Sequence, residues 1–294
     1  TFDLTPSSAP DNAREWLDLL LHTTIPDMNI PSDHLLIMSA HCAIVTYLQA
    51  QWESLVKFVQ VPFTFIVLND TKKQERPDRY YAIEKYCREN RIRHIPIPQF
   101  VHDQRVVLFP DTEEPGCNFA SCRASTGVQI MLEVFKLHAG YALVLDSDAS
   151  LIRALSPETI LPRDGPYTYT AMNQSREGKT RTVDYIWIPF MLFDMTRFPH
   201  PEWMNVDCGR IDDVGVDTGG HWNDYLEKTK HTSLPKPVGD ESSSWDVITQ
   251  FKTNNPNMCL QFSEFYAGCV FHAHNGSGWD PAFNEAKQMR RAEI

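Results

Sequence analysis

Apolar residues in this chain form short runs that alternate with amphipathic segments. Uncharged apolar runs at residues 35–40, 63–68 and 141–145 predict buried β-strands. Between the first two runs, residues 43–59 place Ile44, Leu48 and Leu55 at helical spacing, which predicts a helix that packs one face on a sheet. Apolar runs typical of strands that alternate with amphipathic segments typical of helices indicate an α/β protein.

Further elements follow in the same order. Asp78 is expected to cap a helix that ends near Asn90, and another helix is expected to follow Cys122. The prolines in residues 94–98 restrict that segment to an edge strand. Residues 167–171 alternate Tyr and Thr, as in a half-buried strand. The sequence therefore predicts a mostly parallel sheet flanked by helices.

The C-terminal half has a less regular pattern. Residues 185–193 are strongly apolar, but Pro189 interrupts them. Asp217 is expected to cap a short helix. A helix over residues 242–251 and strands over residues 258–262 and 269–274 are predicted to complete the fold. No repeat or domain linker is evident.

Composition and charge limit the possible functions. With 42% hydrophobic residues in 294, the chain can bury a substantial core. Its net charge of −11 argues against a nucleic-acid-binding surface, which would be basic. The seven cysteines form no CxxC pair, so a zinc framework is not expected. The longest apolar run is shorter than the ~20 residues of a membrane span.

Two carboxylates follow the strand at residues 141–145, in the order Asp146-Ser147-Asp148. In an open α/β sheet, ligands bind at the carboxyl ends of the strands. Mg²⁺ and Mn²⁺ are commonly held by one or two carboxylates together with substrate phosphates. The motif thus indicates a metal that binds a diphosphate, and an ordinary acidic turn is the alternative interpretation.

Five features in this order resemble the GT-A superfamily of nucleotide-sugar-dependent glycosyltransferases, over about residues 30–280. They are the strand at 35–40, the second strand ending in Asn69-Asp70, the helix beginning Cys122-Arg123, the Asp146-Ser147-Asp148 motif and the C-terminal segment Phe271-His272-Ala273-His274-Asn275-Gly276. The resemblance implies a GT-A-like single domain with a Rossmann-like, mostly parallel central sheet and an irregular acceptor-side half. The prolines in residues 1–33 predict an N-terminal wrapping segment, and the transferase domain is expected to span 34–285. The nucleotide-binding half of that domain would span about 34–150, and the acceptor and metal half about 151–285.

The resemblance also implies a metal site. Asp146 would contact the metal or the ribose, and Asp148 and His274 would bind the metal, which would be Mn²⁺ or Mg²⁺. In a strand over residues 269–274, His272 and His274 point to the same face, so His272 is a second candidate ligand. A hydrogen-bond partner or a core residue is the alternative role for His272.

The donor would be a nucleoside-diphosphate sugar, with a UDP-sugar favoured and a GDP-sugar as the alternative. By resemblance, Ser39 and Asp70 would contact the base and ribose, and Arg123 would contact the phosphates. Gly276 would let the backbone approach the diphosphate, and Trp279 would close the sugar pocket. The acceptor would be a carbohydrate or another hydroxyl compound, in glycan or polysaccharide synthesis.

An inverting transferase needs a general base for the acceptor hydroxyl. Asp217 and Asp213 lie in an acidic, glycine-rich segment at residues 209–220 and are the candidates. A helix cap explains Asp217 equally well, and a turn explains Asp213. A retaining enzyme would need no such base, so the stereochemical course stays open.

Three other functions fit part of the pattern: a metal-dependent hydrolase, a nucleotidyltransferase and a non-catalytic carbohydrate-binding domain. The hydrolase would need two metals or a nucleophile, and the nucleotidyltransferase would usually have a glycine-rich basic loop after the first strand. Glycosylation triplets at Asn69 and Asn275 lie near the predicted site, which favours a cytoplasmic protein. A lumenal enzyme whose N-terminal anchor has been removed is the alternative.

Overall fold

The computed structural model describes residue 10 and residues 12–42, 45–109, 120–229 and 264–272. Its strands are β1 (Leu35–His41), β2 (Phe63–Asn69), β3 (Arg93–Pro96), β4 (Tyr141–Leu145), β5 (Ala149–Leu151), β6 (Tyr169–Glu177), β7 (Thr182–Asp194), β8 (Gly209–Ile211), β9 (Val214–Val216), β10 (Glu264–Tyr266) and β11 (Val270–His272).

The helices alternate with these strands in the first half of the chain. They are α1 (Ala13–Leu19), α2 (Ile25–Asp27), α3 (Val45–Phe58), α4 (Pro77–Glu89), α5 (Gln99–Asp103), α6 (Ala120–Phe135), α7 (Pro157–Ile160) and α8 (Trp222–Thr229). A π-helical turn, Leu20–Thr24, joins α1 to α2, and short 3₁₀ turns lie at Arg105–Val107 and Pro201–Trp203. Within the described ranges, no helix is long and apolar enough to cross a membrane.

Six strands form the central sheet, in the order β3-β2-β1-β4-β7-β6. The pairs β3-β2, β2-β1 and β1-β4 are parallel, and β7 runs antiparallel to both of its neighbours. The predicted α/β class with a mostly parallel sheet is therefore confirmed. From β1 the chain continues to β2 and β3 on one side and reaches β4 on the other, which makes the β1–β4 boundary the topological switch point.

Side chains from the two faces of the sheet form two hydrophobic clusters. On one face, Leu36 and Met38 of β1 pack with α1, α6 and α8. On the other, Leu35 and Ile37 pack with α3, α4 and the small sheet that contains β5. Because consecutive strand residues point to opposite faces, a strand that begins with four apolar residues, as β1 does at residues 35–38, must be covered on both sides. Burial on both faces explains the apolar run at residues 35–40, from which a buried strand was predicted.

The N-terminal helix α1 is fixed by a cap and by packing. Asn12 accepts a hydrogen bond from the backbone N–H of Glu15, 2.9 Å away, which satisfies one of the free donors at the helix start. Trp16 and Leu20 are buried in the same hydrophobic cluster as α6. The division into a segment at 1–33 and a domain at 34–285 stays a prediction.

Strand β7 is longer than predicted, and it accommodates Pro189 inside the sheet. Ala171 of β6 pairs with Met191, whereas the next residue, Met172, pairs with Trp187. The irregularity leaves the segment with Pro189 unpaired with β6. The carbonyl of Pro189 instead accepts the N–H of Asp146 at 3.1 Å.

Some local predictions were wrong at element boundaries. Arg76, and not Asp78, is the N-cap of α4, because Pro77 occupies the first helical position, where its missing N–H is harmless. Helix α8 begins at Trp222, so Asp217 does not cap it. The short strands β5, β8 and β9 were not predicted, since three-residue strands carry too little periodicity.

Two predicted C-terminal elements, the helix at 242–251 and the strand at 258–262, lie outside the described residues. The strand predicted at 269–274 is observed as β11, Val270–His272, and residues 273 and 274 lie outside the described range.

We predict that His94 makes folding stability fall in mild acid. Burial lowers the pKa of His94 from 6.5 to about 4, and Nε2 lies 3.1 Å from the amide nitrogen of Asn69, for which it must act as an unprotonated acceptor. Below pH 6.5 the unfolded chain binds a proton that the folded chain does not, so stability is lost as the pH falls towards 4.

The measurement is urea unfolding of the wild type and His94→Gln at neutral pH and near pH 4.5. We expect the loss of unfolding free energy between the two conditions to be smaller in the variant, by on the order of 1–3 kcal/mol. An identical loss in both proteins would show that His94 does not titrate in this way.

Candidate functional site

The turn after β4 carries Asp146 and Asp148 and is held by backbone hydrogen bonds. The N–H of Ala149 donates to the carbonyl of Asp146 at 3.0 Å, and that of Asp146 donates to Pro189. Oδ1 of Asp146 accepts the N–H of Ser147 at 2.6 Å. These bonds place two carboxylates at the carboxyl end of a parallel strand, beside the switch point.

His272 reaches the same turn through a small antiparallel sheet, β10-β11-β5. His272 of β11 is paired with Ala149 of β5, the residue that follows Asp148. Its Nε2 lies 2.9 Å from Oδ1 of Asp148 and 3.8 Å from Oδ2 of Asp146. The pairing of β11 with β5 therefore brings a distant imidazole to both carboxylates.

Asp146, Asp148 and His272 each offer one ligand atom, and these atoms lie within 4.8 Å of one another. Two carboxylates and one imidazole suit a divalent cation of the Mg²⁺ or Mn²⁺ type. Nδ1 of His272 lies 3.2 Å from the hydroxyl of Tyr266, a partner that leaves Nε2 available for coordination. The residues fit a divalent metal, and they do not identify it.

Three predicted site residues, His274, Gly276 and Trp279, lie outside the described residues. Their roles stay predictions. The described residues place the alternative ligand, His272, beside Asp146 and Asp148.

Asp70 and Arg123 form an ion pair next to the same turn. One guanidinium nitrogen of Arg123 donates to Oδ1 of Asp70 at 2.7 Å and to its carbonyl at 2.9 Å. Nε2 of His102 lies 2.5 Å from that Oδ1. The other guanidinium nitrogen donates to Gln99 at 2.9 Å. Arg123 therefore fixes one oxygen of Asp70, which directly follows β2, and the imidazole of His102 lies beside that oxygen.

A cavity of about 360 Å³ connects these groups. The site residues among those that line it are Asp70, Arg123, Asp146, Asp148, Asp217 and His272. Trp187 and Ile188, from the irregular part of β7, add an apolar wall. The group of Asp146, Asp148 and His272 and the Asp70–Arg123 pair thus face one space.

Cys42 also lines the cavity, and it does not supply a thiolate nucleophile. Burial, together with the nearby charge of Asp70, raises the pKa of its thiol to about 12. The thiol therefore stays protonated at neutral pH, and protonated thiols are poor nucleophiles.

The two predicted catalytic aspartates have different positions. Asp217 lines the cavity, and its Oδ1 accepts the N–H of Thr218 at 2.8 Å. Asp213 is in the exposed β8–β9 turn, where its carboxylate accepts hydrogen bonds from Thr180 and the backbone of Lys179. These bonds lower the pKa of Asp213. The structure does not place Asp213 at the cavity.

Ser39 is fully buried, and its Oγ lies 3.2 Å from Nε2 of His41. It is not among the residues that line the cavity. Asn69 is also fully buried, which keeps its glycosylation triplet inaccessible in the folded chain. The predicted contact of Ser39 with a nucleotide stays a prediction.

Sequence reasoning missed His102, Gln51 and Tyr266, which contact the predicted site residues or their backbone. Their contacts depend on packing between distant segments and not on any local motif. Pro189 did carry a signal: a proline inside an apolar run indicates an irregular strand. That irregularity lies beside the turn that carries Asp146 and Asp148.

No protein-family model matches the sequence, and no curated protein matches it. The crystal structure of mouse xyloside xylosyltransferase 1 in its apo form is similar at a TM-score of 0.45 and 9% identity, over 83% of this chain and 98% of that chain. A nucleoside-diphosphate-sugar pyrophosphorylase from Vibrio cholerae RC9 is similar at a TM-score of 0.29 and 11% identity, over 66% of this chain and 88% of that chain. Both TM-scores are low, so the inferences below depend on the geometry of the site.

We predict that the chain binds Mn²⁺ and that Asp148→Asn lowers the affinity at least about tenfold, because a neutral amide is a much weaker ligand than a carboxylate. Calorimetric titration with Mn²⁺ alone measures this. Asp213→Asn is the matched control, since it removes the same charge at an exposed turn outside the cavity. Equal affinities of wild type and Asp148→Asn would exclude Asp148 as a ligand.

Proposed function

We propose that this chain is a metal-dependent glycosyltransferase of the GT-A type, which transfers a sugar from a nucleoside-diphosphate sugar to an acceptor hydroxyl. The observation that carries the proposal is the group of Asp146, Asp148 and His272 at the carboxyl end of β4. It faces a cavity that also contains Asp70 and Arg123. A metal-binding group beside hydrogen-bonding side chains, at a topological switch point, is what a diphosphate nucleotide requires.

Asp146, Asp148 and His272 would hold a divalent metal, Mn²⁺ or Mg²⁺. When bound, such a metal offsets the negative charge that develops on the departing nucleoside diphosphate. A bound metal would matter particularly in this chain, because its net charge of −11 would otherwise repel an anionic donor.

Asp70 is the proposed contact for the ribose or base. Arg123 and His102 both approach Oδ1 of Asp70, and within the described ranges Oδ2 makes no hydrogen bond. Because Asp70 lines the cavity, Oδ2 supports a role as acceptor for a ligand hydroxyl or N–H. Arg123 brings an anchored guanidinium to the same wall, which supports the proposed phosphate contact.

Asp217 is the proposed general base of an inverting transfer. Its carboxylate lines the cavity and lies 3.8 Å from the guanidinium of Arg176. The acceptor oxygen would bond to the anomeric carbon as the bond from that carbon to the diphosphate breaks. The nucleoside diphosphate would leave with the electron pair, and the hydroxyl proton would pass to Asp217.

Two observations favour this proposal over a hydrolase and a nucleotidyltransferase. In the described part of the chain only one candidate metal group is found, and the cavity thiol, Cys42, is protonated, so a two-metal or cysteine hydrolase is not supported. Helix α3 begins at Val45, soon after β1 ends at His41. Residues 42–44 between them read Cys-Ala-Ile, so they do not contain the glycine-rich basic loop of a nucleotidyltransferase.

We expect one family of nucleotide sugars to stabilise the protein in the presence of Mn²⁺ and not in EDTA. At about 100 times the dissociation constant, a ligand adds about 2.7 kcal/mol, which corresponds to a rise in Tm of several degrees. Thermal unfolding with UDP-, GDP-, CMP- and dTDP-sugars is the measurement. No metal-dependent rise with any nucleotide sugar would refute the transferase proposal.

Once the donor is known, Asp217→Asn should lower kcat by about 10²–10⁴-fold and leave Mn²⁺ affinity unchanged, because the amide cannot accept the proton. Sugar transfer is measured with the wild type, Asp217→Asn and the control Asp213→Asn. The anomeric configuration of the product is read by NMR. A fully active Asp217→Asn, or a product with retained configuration, would exclude Asp217 as the base.

A further inference from the structure

Gln51 is a fully buried polar residue in α3, next to the metal-binding turn. A buried amide is tolerated in a core only when its donors and acceptor are paired. Its side chain is not among those that line the cavity. The partners of this amide are therefore informative about its role.

Both amide hydrogens of Gln51 are directed at the turn. Nε2 donates to the carbonyl of Asp146 at 2.7 Å and to the carbonyl of Ala149 at 2.8 Å. These two carbonyls flank Ser147 and Asp148. One side chain thus grips the backbone on both sides of the segment that presents the metal-binding carboxylates.

The acceptor of the amide is paired as well. Nε2 of His41 lies 3.0 Å from Oε1 of Gln51, and because a carbonyl oxygen only accepts, the imidazole donates. Burial lowers the pKa of His41 to about 4, so the ring is neutral near neutral pH. His41 ends β1, and the bond fixes which end of the amide faces the turn.

Ser54, one helical turn further along α3, extends the contact. Its Oγ accepts the N–H of Leu151 in β5 at 3.0 Å and donates to the carbonyl of Gln51 at 2.7 Å. Since β5 also pairs with β11, which carries His272, α3 contacts the turn directly and is connected to β11 through β5. Gln51 and Ser54 bond backbone atoms of the turn and of β5, so no side-chain motif in the turn encodes these contacts.

We propose that Gln51 is a positioning residue for the metal site: its two hydrogen bonds fix the Asp146–Ala149 turn so that the carboxylates converge with His272. The inference rests on the metal site of the proposed function and is independent of the donor and acceptor. Residues that hold metal ligands in place commonly change metal affinity 10–100-fold when they are replaced.

The test compares Gln51→Met with Gln129→Met. Methionine is unbranched and of similar size, but it cannot donate to the carbonyls. Gln129 is the matched control, because it is also buried and bonds the backbone at Met204 and Val206 without lining the cavity. Mn²⁺ affinity is measured by calorimetry, and Tm is measured in parallel.

We expect Gln51→Met to weaken Mn²⁺ binding at least about tenfold. Gln129→Met should change Mn²⁺ affinity by less than about twofold, even if it lowers Tm as much as Gln51→Met does, because Gln129 bonds the backbone at Met204 and Val206 and not the Asp146–Ala149 turn. Gln51→Glu keeps the volume and an oxygen for His41 but has no N–H for the turn, so it should show the same loss. If Gln51→Met does not fold, the Mn²⁺ affinity of Gln51→Glu tests the proposal instead.

The outcomes separate the two proposals. If a folded Gln51 variant binds Mn²⁺ as the wild type does while Asp148→Asn does not, Gln51 has no positioning role and the metal site stands. If Gln129→Met loses Mn²⁺ affinity as well, the effect reflects general destabilisation and the inference fails. If the wild type binds no Mn²⁺, the proposed metal site fails, and the positioning role fails with it.

Discussion

The parallel pairing of β1 with β4 is the constraint on which the rest of the structure depends. Leu36, Ile37 and Met38 of β1 lie opposite residues 142–144 of β4, and β2 occupies the other edge of β1. This arrangement places the ends of β2, β1 and β4 side by side. It opens a crevice at the switch point, and the polar residues that follow these strands, Asp70 and Asp146, border it.

Around that crevice, polar groups are used in two ways. Buried amides and imidazoles, such as Gln51 and His41, bind backbone and one another, so they hold geometry and carry little charge. The carboxylates of Asp146, Asp148 and Asp217 line the cavity and concentrate negative charge there. A cation is the natural complement of that charge, and it would allow an acidic protein to bind an anionic nucleotide.

Much of the fold could be predicted from local patterns. The apolar runs predicted β1, β2 and β4 within a residue or two, because a strand covered on both faces is mostly apolar at successive positions. Predictions were wrong or missing where the signal was short or was set by neighbours. The N-cap of α4 is Arg76, which precedes Pro77, and not the predicted Asp78. Three-residue strands such as β5 were not predicted.

The sequence by itself determined the α/β class and placed two carboxylates directly after a buried strand, because hydrophobic periodicity and the order of residues are local properties. Only the tertiary structure decided which groups meet those carboxylates. The pairing of β11 with β5 brought His272 to Asp148, packing of α3 brought Gln51 to the turn, and Asp213 was left in an exposed hairpin. These juxtapositions join distant segments through backbone hydrogen bonds and packing, which no single stretch of sequence encodes.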